Sequence, residues 1–109
     1  MSEIKKLEPK LLWQYFYEIT QIPRPSKKEH RMTEFMKKFG NDHGLETIVD
    51  KTGNVIFRKP ATKGLENRKG IILQAHVDMV PQKNADVKHD FVNDPIETEV
   101  VGDWLKAKG

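Results

Sequence analysis

The chain has 109 residues, of which 37% are hydrophobic and 32% charged, the composition of one polar globular domain with a modest core. It contains no cysteine, which excludes disulfides, thiolate metal ligands and thiol catalysis, so His, Asp or Glu must hold any metal. The net charge of +3 is spread over lysines interspersed with acids, and this pattern does not favour nucleic-acid binding.

An amphipathic helix is the first element that the sequence predicts. Apolar residues recur at helical spacing between Leu7 and Ile19, and Pro9 suits a first-turn position. We therefore expect a helix over about 8–21. The prolines of Ile22–Ser26 end it, because proline donates no backbone hydrogen bond and restricts the residue before it.

A second helix is predicted over about 27–43. Ser26 and Glu29 have the spacing of a capping box, in which the serine caps the helix start and the glutamate reaches back. Gly44 suits the left-handed position that stops a helix. The residues that form one apolar face of this helix are Met32, Phe35, Met36 and Phe39.

Strands are predicted in the rest of the chain. Residues 45–50 and 55–59 flank a glycine-containing turn and indicate a hairpin. The apolar run at 70–75 is typical of a strand that is buried on both faces. Residues 96–101 and 104–107 indicate a second hairpin. The expected fold class is α/β, with two N-terminal helices followed by a mixed β-sheet.

The candidate site follows the apolar run. His76 and Asp78 come where that strand is predicted to end, and chemistry collects at the carboxyl ends of strands in open α/β sheets. A neutral imidazole there is a good zinc ligand, and the carboxylate can hold the ring or bind the metal directly. A purely structural histidine is the alternative. A hydrolytic zinc site needs at least three protein ligands, and the chain offers one persuasive ligand.

Other polar residues are weaker candidates. His30 and His43 lie near the two ends of the second helix, where a cation near the C-terminus is mildly favourable. His89-Asp90 lies in a long polar segment at 81–95, and loops of that length are usually functional or mobile. The aspartates of this segment do not have the spacing of a calcium loop. No glycine-rich phosphate loop or serine nucleophile elbow is present.

Several short segments of the chain are informative when their order and combination are considered together. They are Ile22–Ser26 with Glu29, Asp50–Val55, Ile72–Gln82, Asp90-Phe91, Asp94–Ile96 and Gly102–Ala107. In combination and in order they resemble the aminoacyl-histidine dipeptidase family, also called Xaa-His dipeptidase or peptidase D. That family belongs to the zinc metallopeptidases that include aminoacylase and peptidase T. The resemblance extends over nearly the whole chain.

The resemblance implies a hydrolase that cleaves Xaa-His dipeptides with water activated by two zinc ions. It assigns His76 as a ligand of one zinc and Asp78 as the catalytic supporting carboxylate that orients this histidine. In the family the bridging aspartate, the general-base glutamate and the remaining ligands follow beyond the position of Gly109. We therefore expect residues 1–109 to be the N-terminal part of the catalytic domain, to bind zinc weakly and to be inactive alone.

Partners and location follow from the same reasoning. A dipeptide is the expected substrate, and no nucleic acid or membrane is expected as a partner, since no apolar run approaches the roughly 20 residues of a membrane helix. A cytoplasmic location is the default. An incomplete sheet would leave a strand edge unpaired, so a homodimer or other self-association is expected. The alternative function is a stand-alone binding module with a structural H-x-D motif and no catalytic role.

Overall fold

The computed structural model describes residues 2–109. Its elements in chain order are a 3-10 helix (Glu3–Lys6), the helices α1 (Lys10–Thr20) and α2 (His30–Asp42), and the strands β1 (Glu46–Val49), β2 (Val55–Arg58), β3 (Thr98–Val101) and β4 (Trp104–Ala107). The chain divides into two compact units. The first unit contains the residues up to Met32 together with Asp78–Gly109, and the second unit contains Thr33–Val77.

Helix α1 begins at Lys10 because Pro9 occupies its N-cap, where the missing backbone N–H of proline costs nothing. The apolar face that the sequence predicts for this helix is only partly covered. Leu11 is 59% exposed and Leu12 is 58% exposed. A substantial part of this face therefore contacts solvent in the described chain.

The core of the first unit is small. Ile4 is 1% exposed and Met32 is 3% exposed. Thr20 is buried as well, and its hydroxyl donates to the carbonyl oxygen of Tyr17 at 2.6 Å. The carbonyl oxygen of Thr20 accepts the backbone N–H of Ile96 at 2.9 Å, so the end of α1 is joined to the segment that leads into β3.

The predicted second hairpin is confirmed. Strands β3 and β4 pair antiparallel, with Val101 opposite Trp104. The connecting turn is Gly102-Asp103, and Gly102 has a φ of +58°. A residue without Cβ suits this left-handed conformation, which the tight two-residue turn requires.

The predicted first hairpin is confirmed in the second unit. Strands β1 and β2 pair antiparallel, with Val49 opposite Val55. The turn is closed by Asp50, whose Oδ1 accepts the backbone N–H groups of Thr52, Gly53 and Asn54, each at 2.9 Å. The Asn54 side-chain amide donates to Oδ2 at 2.8 Å. These hydrogen bonds, first that of the Asn54 side chain, lower the pKa of Asp50.

Helix α2 ends as the sequence predicts. Gly44 has a φ of +65°, and the backbone N–H of Leu45 donates to the carbonyl oxygen of Gly40 at 2.9 Å. Phe39, on the predicted apolar face of the helix, packs on the β1–β2 hairpin. The ring centroids of Phe39 and Phe57 are 6.3 Å apart, within the range of interacting aromatic pairs.

The predicted start of α2 is wrong. The helix begins at His30 rather than near residue 27, and Ser26 does not cap it. Lys27 has a φ of +76°, in the left-handed region, so the chain turns before the helix begins. The Glu29 carboxylate accepts the backbone N–H of Lys27 at 2.7 Å instead of reaching back to Ser26.

The predicted buried strand at 70–75 is also wrong for the described chain. No strand forms there, and Ile71, Ile72 and Leu73 are 83%, 94% and 88% exposed. A strand buried on both faces needs paired neighbours at its edges and layers above and below it. The described residues supply neither.

The α/β arrangement of two helices followed by strands is confirmed, although its strands do not form the expected mixed sheet. They form two separate two-stranded antiparallel sheets, β1–β2 and β3–β4. Among residues 2–109, neither helix has the length and apolar character that crossing a lipid bilayer requires.

Candidate functional site

Asp78 lies at the start of the second segment of the first unit, and its carboxylate is held by a serine from far away in sequence. The Ser26 hydroxyl donates to Asp78 Oδ2 at 2.6 Å, across 52 positions of the chain. Both side chains are half-buried. The distance is typical of a hydroxyl bound to an ionised acceptor, the stronger class of hydrogen bond.

The backbone next to Asp78 is fixed by the same loop. The Met79 N–H donates to the carbonyl oxygen of Arg24 at 2.9 Å, and the Ser26 N–H donates to the carbonyl oxygen of Met79 at 3.1 Å. These two bonds form a parallel bridge between Pro25 and Met79. The segment after His76 therefore pairs with the proline-rich turn rather than with another strand.

The proline-rich turn is fixed to the end of α1 by Arg24. Its guanidinium donates from Nη1 to the carbonyl oxygens of Ile19 and Ile22, the latter at 3.2 Å. A cation is favourable at this end of a helix, where carbonyl groups lack intrahelical partners. Burial lowers the pKa of Arg24, but a guanidinium stays protonated at physiological pH.

His76 belongs to the second unit, directly after the exposed apolar run. Its side chain is exposed rather than enclosed in an apolar interior. An exposed imidazole is accessible to a metal ion, and histidine is the commonest metal ligand among side chains. The position is therefore compatible with the ligand role that the sequence predicts.

The described residues do not supply a complete metal site. Within residues 2–109, no three His, Asp or Glu side chains lie close enough together to hold one ion. The donor types of His76 and Asp78 suit zinc and its supporting carboxylate, but a zinc ion bound by protein takes at least three protein ligands. Further ligands would have to come from outside this part of the chain.

The other histidines have structural surroundings. His43 Nδ1 lies 2.8 Å from the carbonyl oxygen of Phe39, and its ring stacks on the Phe39 ring with centroids 4.0 Å apart. The His89 ring packs edge-on against Phe91 at 5.0 Å. These contacts agree with the structural interpretation of His43 at the end of α2. His30, the first residue of α2, is exposed.

The aspartates of the 81–95 segment support the loop itself. Asp90 Oδ1 accepts the backbone N–H of Val92 at 2.9 Å, and Asp90 Oδ2 accepts the Asn93 side-chain amide at 2.7 Å. The Asn93 amide is the main reason that the pKa of Asp90 is lowered. The Asp94 carboxylate accepts the backbone N–H of Asp90 at 2.8 Å. These carboxylates close turns.

Ser26 is the residue that the sequence interpretation missed. Its spacing to Glu29 matched a local capping motif, and nothing in the local pattern indicates a partner 52 residues away. The proline on either side of Arg24 was the one available signal, because a rigid turn can present a side chain reproducibly.

Comparison with known proteins shows similarity to dipeptidases over essentially the whole chain. The chain is 48% identical over 109 residues to the cytosol non-specific dipeptidase of Escherichia coli. Its structure matches that of aminoacylhistidine dipeptidase from Vibrio alginolyticus with a TM-score of 0.93 and 50% identity, covering 99% of this chain. The chain is homologous to these dipeptidases along its whole length. The family resemblance predicted from the sequence motifs is thereby confirmed.

The homology concerns a limited part of each dipeptidase. The chain spans 22% of the Escherichia coli protein and 22% of the Vibrio alginolyticus chain. No family model matches it. The rest of each dipeptidase lies outside the matched region.

Proposed function

We propose that this chain forms the N-terminal part of the catalytic domain of a zinc metallodipeptidase that hydrolyses Xaa-His dipeptides. The similarity to aminoacylhistidine dipeptidase, at 50% identity over 99% of the chain, is the observation that carries the proposal. The same similarity implies a cytoplasmic enzyme, in agreement with the name of the cytosol dipeptidase of Escherichia coli. No nucleic acid or membrane partner is required for this activity.

His76 is the zinc ligand that this proposal assigns to the chain. It is exposed and lies within Ile72–Gln82, one of the segments on which the family resemblance rests. When bound, a zinc pair polarises the scissile carbonyl and lowers the pKa of the attacking water. The contribution of His76 is one neutral nitrogen donor.

Asp78 contributes to the proposed function by orienting the imidazole ring of the ligand His76. A ligating histidine usually has its second ring nitrogen fixed by a carboxylate or carbonyl group, which selects the tautomer and raises the basicity of the ligand. The Asp78 carboxylate itself accepts a hydrogen bond from the Ser26 hydroxyl at 2.6 Å. We assign it this supporting role.

A hybrid enzyme tests the proposal. This chain replaces the matching segment of the Escherichia coli dipeptidase, and hydrolysis of a Xaa-His dipeptide is measured together with bound zinc. We expect an active hybrid in which His76→Ala lowers zinc content and activity together. His30→Ala changes another exposed histidine and serves as the control, with activity retained.

Two results would contradict the proposal. Full activity and full zinc content in the His76→Ala hybrid would refute the ligand assignment. Normal zinc-dependent turnover by the 109-residue chain alone would refute the view that the site needs further residues.

We also propose that the chain alone self-associates through residues 70–75. Ile71, Ile72 and Leu73 are more than four-fifths exposed, and residues 70–75 make no backbone–backbone hydrogen bond to any other part of residues 2–109. The segment contains neither proline nor charge. Such segments pair readily with copies of themselves, which satisfies their backbone groups and covers their side chains. A second copy of this chain is the proposed partner.

A further inference from the structure

The hydrogen bond between Ser26 and Asp78 is a long-range side-chain contact two residues along the chain from the candidate ligand His76. It joins two half-buried groups over 52 positions at 2.6 Å. The turn is also fixed through its backbone and through Arg24. The hydroxyl contact adds a restraint on the side chain of Asp78 to these backbone bonds.

The serine is itself placed by its neighbours. Its backbone N–H donates to the Met79 carbonyl oxygen at 3.1 Å, directly beyond Asp78. Immediately after it, Lys27 takes a left-handed conformation with a φ of +76°, and the chain turns away toward α2. The backbone of Ser26 is thus held beside Met79, the residue that follows Asp78 in the chain.

We propose that Ser26 is a positioning residue for the dipeptidase reaction, which acts by fixing the orientation of the Asp78 carboxylate. The inference rests on the function proposed above. By donating to Oδ2, the hydroxyl restricts rotation of the carboxylate about its side-chain bonds. A carboxylate of fixed orientation holds a nearby ligand in one geometry, whereas a rotating one holds it for only part of the time.

The first measurement concerns Asp78 itself. Three-bond NMR couplings report whether its χ1 torsion occupies one rotamer or averages over several. We expect one rotamer in the unmodified chain and in Ser26→Thr, which retains a hydroxyl, and averaged couplings in Ser26→Ala. Identical couplings in all three proteins would overturn the inference.

The second measurement follows zinc binding in the 109-residue chain through the ring resonances of His76, with His30, His43 and His89 observed in the same spectrum. We expect Ser26→Ala to weaken binding at His76 by about tenfold, the lower end of the range for supporting groups of metal ligands. Ser26→Thr should restore the affinity to within about threefold. A lower melting temperature with unchanged affinity at His76 would mean a merely structural role and would overturn the inference.

A third measurement tests whether Ser26 acts through Asp78. In an Asp78→Asn background, Ser26→Ala should cause almost no further loss of zinc affinity, because two residues that act as a unit are not additive. A full additional tenfold loss would contradict the coupling. Ser26→Cys, a weaker donor of similar size, provides an intermediate loss if the alanine variant does not fold.

The hybrid enzyme separates this inference from the function on which it rests. If His76→Ala leaves activity and zinc content unchanged, the proposed function fails and the inference fails with it. If His76→Ala abolishes both while Ser26→Ala leaves kcat, KM and zinc affinity unchanged, only the role of Ser26 is refuted. We expect Ser26→Ala to lower kcat with little change in KM. In the proposed role, Ser26 orients the carboxylate that supports a metal ligand and does not bind the substrate.

Discussion

The backbone of Gly40 in α2 lies directly against the ring of Phe57 in β2. A Cβ at Gly40 would lie 2.5 Å from Cε1 and 2.9 Å from Cδ1 of that ring, and it would also overlap the Thr47 hydroxyl. Real Cβ atoms do not approach ring carbons this closely. The helix and the hairpin of the second unit thus pack at a distance that only glycine permits.

This contact predicts that Gly40→Ala destabilises the chain although alanine is the better helix former. Overpacking costs about 1–3 kcal/mol, against a gain of about 1 kcal/mol in helix propensity. We expect a lower midpoint of urea unfolding. Asn41→Ala changes the next, exposed position of the same helix and should leave the midpoint close to that of the unmodified chain. A stabilised Gly40→Ala protein would contradict the packing.

The turn between β1 and β2 makes a prediction about pH. Hydrogen bonds lower the pKa of Asp50 in the folded chain, so the stability from this carboxylate is present above its unfolded pKa of about 3.9. It is lost as the pH falls through the lower, folded value. Asn54→Ala removes the largest cause, so the pKa of Asp50 should rise toward its ordinary value in an NMR titration. An unchanged pKa would show that the backbone N–H groups alone account for the shift.

The exposed apolar run predicts concentration-dependent association of the isolated chain. Sedimentation velocity should detect species larger than a monomer, and Ile72→Lys combined with Leu73→Lys should shift the distribution to monomer through charge repulsion. Leu65→Lys, which charges a partly exposed leucine elsewhere in the second unit, serves as the control and should not have this effect. A monomer at all concentrations of the unmodified chain would refute the proposed self-association.

The proposed zinc site predicts how the activity of the hybrid enzyme responds to removal of the metal. A chelator should abolish hydrolysis of the Xaa-His dipeptide, and zinc should restore it. Magnesium should not, because that ion prefers oxygen ligands and an imidazole contributes nitrogen. Restoration by magnesium alone would contradict a zinc site that includes His76.

The elements that the sequence predicted well are those encoded by neighbouring residues. The stop of α2 at Gly44 and the two hairpins follow from glycine conformations and turn chemistry within a few residues. The start of α2 was mispredicted because the hydroxyl of Ser26 binds Asp78 rather than the helix. A local sequence motif cannot reveal that the Ser26 hydroxyl donates its hydrogen bond to a carboxylate far away in the sequence.

The apolar run at 70–75 was mispredicted for another reason. Its composition is typical of a buried strand, but burial depends on neighbours, and the described chain leaves Ile72 94% exposed. The candidate site, too, could be predicted only in part from the sequence. The roles of His76 and Asp78 were assigned from their position in the motif and stay predictions. A full zinc site needs at least three protein ligands, which these two side chains do not supply.

The first unit is built from both ends of the chain, with the whole second unit between them. Its two parts meet where Pro25 pairs with Met79 and where Thr20 binds Ile96. On a ribosome, Thr20 and the proline-rich turn therefore emerge long before Ile96 and Met79, to which they bind. The first unit can complete its fold only after all of the intervening second unit has been synthesised.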